Sequence, residues 1–259
     1  MNWIEAIVLG IIQGLTEFLP VSSSGHLEIS KALFGIDPGA SFYFTVAVHG
    51  ATVLSTIVVF RNELLKLLKG ALKFSNNEET SYLLKLLISM IPVGITGLFL
   101  KDKVEALFNG NMIFIGSMLI ITASLLALAH FTRRGDRPVG WIDALVIGLA
   151  QAIAVIPGIS RSGATIATGL IIGNRKEDLA RFSFLMVLIP VLGANFLEIA
   201  GSDAVADSTG TMSIIIGSLA AFVSGYFACK WMIALVRRSK LIWFSLYCLA
   251  AGLLSILFI

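Results

Sequence analysis

Two short polar stretches interrupt an otherwise apolar chain, and they hold most of its residues capable of chemistry. In the first, Gln13 and Glu17 are four apart and so share one helix face, just before Pro20-Val21-Ser22-Ser23-Ser24-Gly25 and His26. The second is Pro157-Gly158-Ile159-Ser160-Arg161-Ser162-Gly163, with Thr165 one turn past Arg161. A Ser/Gly loop that leads into a helix offers backbone N–H groups and hydroxyls at the positive end of a helix dipole, which is how phosphate is captured. Two such loops facing each other suit a diphosphate. Arg161 is the basic residue set deep in an apolar region, and its planar fork can grip phosphate oxygens in pairs. Glu17 needs a partner if it is buried. Arg161, or a hard cation such as Mg²⁺ or Ca²⁺ shared with phosphate oxygens, supplies one.

His26, with an ordinary pKa of about 6.5, can act as acid, base or nucleophile near neutral pH. A serine nucleophile needs a nearby base, and Ser23 or Ser24 lies close enough to His26 in sequence for that pairing. The same hydroxyls serve equally as helix N-caps. His49 and His130 lie within or at the end of apolar tracts without charged neighbours in sequence, and both read as structural.

The elements that position these groups belong to a membrane. Hydrophobic residues make up 57% of 259, against 19 Lys+Arg and 16 Asp+Glu, too few charges for an ordinary soluble domain. A net charge of +3 with basic residues scattered through loops excludes a nucleic-acid partner. Cys229 and Cys248 sit in apolar tracts without metal or disulfide spacing and read as packing residues. No Lys or Arg precedes Lys31, so the N-terminus lacks the basic start of a signal peptide and is expected to be mature structure.

Six tracts, about 42–60, 82–100, 112–131, 182–200, 212–236 and 242–258, are long enough to cross a bilayer. Residues 3–34 and 141–172 are broken by the two Ser/Gly clusters into short arms and read as re-entrant hairpins. With six crossings and two hairpins the loops sort into two sets. One holds Arg61, Lys66, Lys69, Lys73, Arg133, Arg134, Arg137, Arg175, Lys176, Arg181, Arg237, Arg238 and Lys240; the other holds only Lys31, Lys101 and Lys103, with Glu198, Asp203 and Asp207 on the same side. This bias puts the basic loops in the cytoplasm and both termini outside.

Shifting the chain by 138 residues lays 3–26 on 141–164 with nine identities in 24 positions, including Gly10 on Gly148, Gln13 on Gln151 and Ser22, Ser24 and Gly25 on Ser160, Ser162 and Gly163. A fainter echo follows in Phe42-Tyr43-Phe44 and Phe182-Ser183-Phe184. The expected fold is an all-α integral membrane protein, one membrane domain over 1–259, with repeats 1–131 and 141–259. Each repeat is a re-entrant helix-loop-helix hairpin plus three transmembrane helices. Three crossings per repeat turn the second half upside down, an inverted-topology repeat that points both loops at the midplane. Glu17 and His26 fall on Val155 and Ala164 of the second half, so these groups are additions to a shared scaffold.

At these residues the chain resembles the undecaprenyl-diphosphate phosphatase family of the bacitracin-resistance type, over essentially its whole length. Gln13 through His26 resembles the family's (E/Q)xxxE segment with its serine-histidine loop, and Pro157 through Thr165 resembles PGxSRSxxT. The resemblance implies Glu17 near metal and phosphate, Ser23 as nucleophile, His26 as acid/base and Arg161 as the diphosphate clamp. Gln13, Ser22, Ser24, Gly25, Ser160, Ser162, Gly163 and Thr165 complete the expected substrate site. Members often carry Glu where this chain has Gln13, which keeps an oxygen ligand but loses a charge. The resemblance further implies hydrolysis of a polyprenyl diphosphate lipid at a site open to the outer face of a bacterial plasma membrane, recycling the carrier for cell-wall synthesis, and a homodimer.

The expected reaction is phosphoryl transfer, with Arg161, a divalent cation and loop N–H groups neutralising charge on the terminal phosphate. Ser23 attacks with help from His26 or Glu17; a water nucleophile is the alternative. The rival function is a transporter or flippase for a polyprenyl phosphate, since inverted repeats with broken helices are also a transporter architecture. An acid, a base and a nucleophile confined to one repeat favour the enzyme.

Overall fold

The computed structural model describes residues 1–36, 41–73, 77–108, 110–132, 135–201, 210–237 and 241–258. Arg133, Arg134, Asp203, Asp207, Arg238 and Lys240, which entered the charge-bias argument, lie outside the described residues. Among the described residues the structure is helical, with one isolated bridge between Arg137 and Asn174.

The first hairpin is α1 (Trp3–Phe18) and α2 (Ser23–Phe34). The Asn2 side chain accepts from the Glu5 N–H at 2.9 Å and the Glu5 carboxylate accepts from the Asn2 N–H at 2.8 Å, closing a capping box at the start of α1. Helix α1 ends ahead of Pro20, whose ring disfavours helical geometry in the residue before it. Helix α2 is capped by Ser22, whose Oγ accepts from the Gly25 N–H at 3.3 Å. The second hairpin is α8 (Trp141–Ile153) and α9 (Arg161–Ile171). The same devices stand at matching positions: the Asp143 carboxylate accepts from the Gly140 N–H at 2.9 Å, and Ser160 Oγ accepts from the Gly163 N–H at 3.0 Å. The arms of 16, 12, 13 and 11 residues fall short of the roughly 20 that a crossing needs.

The long apolar helices are α3 (Phe42–Val59), α5 (Glu78–Phe99), α7 (Met112–Phe131), α12 (Thr211–Arg237) and α13 (Leu241–Phe258), together with the pair α10 (Lys176–Leu185) and α11 (Leu188–Gly201). Five spans are long and apolar enough to cross a membrane: α5, α7, the stretch Lys176–Leu197, α12 and α13. The apolar α3, bent into α4 (Arg61–Ala71), brings the number to six when the pair is taken as one broken span. The protein is thus a multi-pass membrane protein. Two details depart from the apolar tracts. The α3 span turns by 73° into α4 at Phe60, where the sequence changes to charged residues, so α4 cannot continue into hydrocarbon. The fourth span starts at Lys176, earlier than its apolar core, and breaks between α10 and α11. The short α6 (Lys101–Glu105) follows α5.

Packing interleaves the halves. Helix α1 lies against α12 and α8 against α5, while α7 pairs with α13 and α3 with α11. Close backbone approach makes the first two contacts possible. A Cβ on Gly10 would stand 2.2 Å from the Gly217 carbonyl oxygen, and one on Gly148 would stand 2.4 Å from that of Ser89. A core beneath the hairpins draws on both halves, with Phe18, Val53 and Phe60 packed among Ile166, Phe182, Phe184 and Met232. Phe18 meets Phe184 edge-on at 5.6 Å between ring centres. Cys229 and Cys248 are free and buried.

Candidate active site

The two hairpin loops touch. A Cβ on Gly25 would lie 3.2 Å from the Gly158 Cα, one on Gly163 would lie 3.3 Å from the Pro20 Cβ, and Ser162 Oγ donates to the Leu19 carbonyl at 3.1 Å. The Pro157-Gly158 loop is seated on α7: Thr122 Oγ1 donates to the Gly158 carbonyl at 3.1 Å and accepts from the Ser160 N–H at 3.0 Å. Gly158 itself has φ 93°, the left-handed region open to glycine. The loops therefore hold α2 and α9 with their N-terminal turns against one another.

Glu17 is the hub. Its carboxylate, with a side chain 6% exposed, receives the Arg161 guanidinium on Oε1. Oε2 accepts from Gln13 Nε2 at 2.9 Å and from Ser23 Oγ at 2.6 Å. A buried carboxylate is costly until paired and hydrogen-bonded, and here a cation from the second hairpin and two donors from the first do both. The pair joins α1 to α9, so the site exists only when the two hairpins dock. Glu17, Arg161 and Ser162 border a cavity with Thr52, Thr56 and Ser183, floored by Phe18 and Phe184.

Ser22 has φ 69°, a positive angle that an L residue adopts at a cost. Its counterpart Ser160 sits at φ −75°. The strain falls in the loop that carries Ser23 and His26; the Ser22 carbonyl, like that of Ser160, accepts the backbone N–H four residues on, at 3.1 Å from His26, and the His26 Nδ1 lies 2.8 Å from it as well.

The expected partners of His26 are not the observed ones. A carbonyl only accepts, so Nδ1 carries a proton; Nε2 lies 2.7 Å from the Tyr247 hydroxyl, and the two rings stack at 5.5 Å. Ser23 donates to Glu17 instead. The base within reach of Ser23 is the carboxylate, because both ring nitrogens of His26 are taken, Nδ1 by the Ser22 carbonyl and Nε2 by Tyr247.

Other expected ligands carry structural bonds. Ser22 and Ser160 are buried N-caps, each 3.3 to 3.4 Å from the hydroxyl of Ser24 or Ser162. Thr165 is buried under Arg161, donating to its carbonyl at 2.9 Å and meeting Ser183 Oγ at 2.6 Å. Gly25 and Gly163 supply the capped N–H groups.

Sequence reasoning read His49 as structural and passed over Tyr247, Thr52 and Thr56. Tyr247 arrives from α13. His49 Nε2 stands 4.0 Å from Glu17 Oε2, and Thr52 and Thr56 follow it on the same face of α3. The available signal was that Thr45, His49, Thr52 and Thr56 form a polar stripe at helical spacing within an apolar span.

A divalent cation must be weighed against this donor set. Among the described residues no three His, Cys, Asp or Glu side chains gather to hold a metal. The Glu17 carboxylate, the Ser23 hydroxyl and the Gln13 amide oxygen, which is buried without a hydrogen-bond partner, are oxygen donors. They suit an ion that takes its remaining ligands from phosphate and water, the habit of Mg²⁺ in phosphoryl-transfer sites.

The whole chain is similar to known proteins. A family model described as bacitracin resistance protein BacA matches residues 6–254. An undecaprenyl-diphosphatase of Bacteroides fragilis is 51% identical over 260 residues, covering 99% of this chain and 98% of that protein. The protein of the same name from Parabacteroides distasonis is 52% identical over 261 residues, with 99% and 98% covered. One from Alkaliphilus metalliredigens is 38% identical over 274 residues, with 100% and 99% covered.

Proposed function

This chain belongs to the bacitracin resistance protein BacA family, and from that premise we propose that it is a membrane phosphatase hydrolysing undecaprenyl diphosphate to undecaprenyl phosphate and inorganic phosphate. The product is the carrier lipid of cell-wall synthesis, returned for reuse. The observation that carries the reading is the Glu17 hub: a serine hydroxyl 2.6 Å from a carboxylate whose other oxygen holds an arginine from the opposite hairpin. A hydroxyl, a base and a phosphate clamp are what phosphoryl transfer from an anhydride requires.

In the resting site Arg161 and Glu17 neutralise each other. The diphosphate gives the guanidinium a bidentate anionic partner, leaving the Glu17 carboxylate to take the Ser23 proton. Ser23 Oγ attacks the terminal phosphorus, the bond to the bridging oxygen breaks, and undecaprenyl phosphate departs with the proton relayed from Glu17. Water then attacks the phosphoserine, Ser23 recovers a proton, and phosphate leaves. First-turn N–H groups of α2 and α9 face the growing negative charge. Glu17 and Gln13 would hold the divalent cation jointly with phosphate oxygens, and when bound it supplies neutralisation of the terminal phosphate. His26, with its proton on Nδ1 and its Nε2 toward Tyr247, exchanges protons at the rim.

The resemblance between halves extends to packing, with the hairpin of each lying on a span of the other. We read this as the inverted repeat, with the basic loops cytoplasmic, the termini outside and the cavity open to the outer face. The prenyl chain then stays in lipid while its charged head enters a polar cavity. The small-residue contacts described above lie within one chain, and a homodimer follows from the family resemblance alone.

The test is single-turnover reaction with substrate labelled in its terminal phosphate. Label trapped on Ser23 and absent from Ser23→Ala supports the serine route; turnover of Ser23→Ala near the parent rate assigns the attack to water.

A further inference from the structure

His49 is held in an orientation that the hydrolytic steps above do not use. Its Nδ1 is 2.9 Å from the Thr45 carbonyl oxygen, one helical turn back on α3. A carbonyl only accepts, so in the neutral ring the proton sits on Nδ1 and the lone pair on Nε2. That nitrogen points to Glu17 Oε2 across 4.0 Å. The separation is too long for a hydrogen bond. It fits two donors of one ion, because ligands at roughly 2.0–2.2 Å from a metal lie up to about 4 Å apart. A ring nitrogen fixed by a backbone carbonyl, with its mate directed at a carboxylate, is the arrangement that orients metal-bound histidines.

The neighbouring residues point the same way. Gln13, bonded through Nε2 to the same Glu17 oxygen, has its amide oxygen buried and unpartnered. An amide oxygen carries no charge and is a weak ligand, so the α1 donors alone leave a cation with one carboxylate. His49 brings a neutral nitrogen to that location from α3. Glu17, and Thr52 one turn beyond His49 on α3, border the cavity that Arg161 also lines.

We propose that His49 is a direct ligand of the divalent cation, binding through Nε2 alongside Glu17 and the Gln13 amide oxygen, with substrate phosphate and water filling the remaining positions. The inference rests on the phosphatase reading for its purpose, but not for its measurement. An imidazole in the set moves the preference from the all-oxygen ions Mg²⁺ and Ca²⁺ toward Zn²⁺, and Mn²⁺, an oxygen-preferring ion that tolerates a nitrogen ligand, serves as the spectroscopic probe.

The experiment is pulsed electron paramagnetic resonance of Mn²⁺ added to the purified full-length protein in detergent, alone and with methylenediphosphonate, a diphosphate whose bridge does not hydrolyse. The parent should show ¹⁴N modulation from a directly bound imidazole. His49→Gln should lose that modulation and bind Mn²⁺ at least tenfold more weakly. His49→Asp should regain binding without the nitrogen signal, which separates ligation from a folding defect. The proposal is overturned if bound Mn²⁺ lacks nitrogen coupling in the parent, if the coupling survives in His49→Gln, or if Mn²⁺ binds in neither sample. Phosphate release from undecaprenyl diphosphate, run beside it, distinguishes the failures. Release without nitrogen coupling removes His49 alone, and no release from folded protein removes the phosphatase reading.

Discussion

Glu17 answers to three side chains at once, and each can be removed separately. Arg161→Lys keeps the charge but loses the planar fork, so kcat/KM for phosphate release should fall about 100-fold, the scale of losing a charge-stabilising donor. A variant within threefold of the parent would contradict the clamp. His26→Ala should lower kcat about 100-fold, the lower range for a positioned acid or base. Tyr247→Phe, which only frees Nε2, should cost no more than tenfold and alter the pH profile of kcat rather than KM. An unchanged profile would make Tyr247 a packing residue. The Glu17–Arg161 pair was legible in sequence because a carboxylate and a guanidinium at membrane depth each need the other. The placements of His49 and Tyr247 beside the site were not. Their sequence neighbours are apolar, and their contacts arise from the docking of α3 and α13 on hairpin residues far away in the chain.

The hairpins work as elements because their helices approach neighbouring spans closely. Gly10→Ala and Gly148→Ala each drive a methyl group into a carbonyl oxygen, at 2.2 and 2.4 Å, and each should lower stability by about 1–3 kcal/mol. Gly94→Ala on α5, where nothing lies within 4 Å, should be neutral or stabilising through helix propensity. Thermal unfolding in detergent orders the three variants, and equal effects would refute the close-packing account. The hairpins, their caps and their breaks were readable from Ser, Gly and Pro. The 73° bend at Phe60 was not, since no proline or glycine stands there and it marks only the change from apolar to charged sequence; the break after Leu185 had a signal in Pro190, which has no N–H to bond the Met186 carbonyl four residues back.

At the scale of the whole molecule, span number and charge bias were legible because hydrocarbon admits so few arrangements. The interleaving of the halves was not, as it depends on which faces of α5 and α12 receive α8 and α1. Orientation can be checked with a membrane-impermeant maleimide on intact cells. Lys101→Cys should label and Lys69→Cys should not, against a background of buried Cys229 and Cys248; the reverse pattern would invert the topology. The most direct measurement of the central claim is inorganic phosphate release from undecaprenyl diphosphate by the purified protein, with and without a metal chelator, beside Arg161→Ala. The account predicts release that the chelator suppresses and the variant abolishes, and contradiction would be folded, metal-supplied protein that releases no phosphate or an Arg161→Ala variant that releases it at the parent rate.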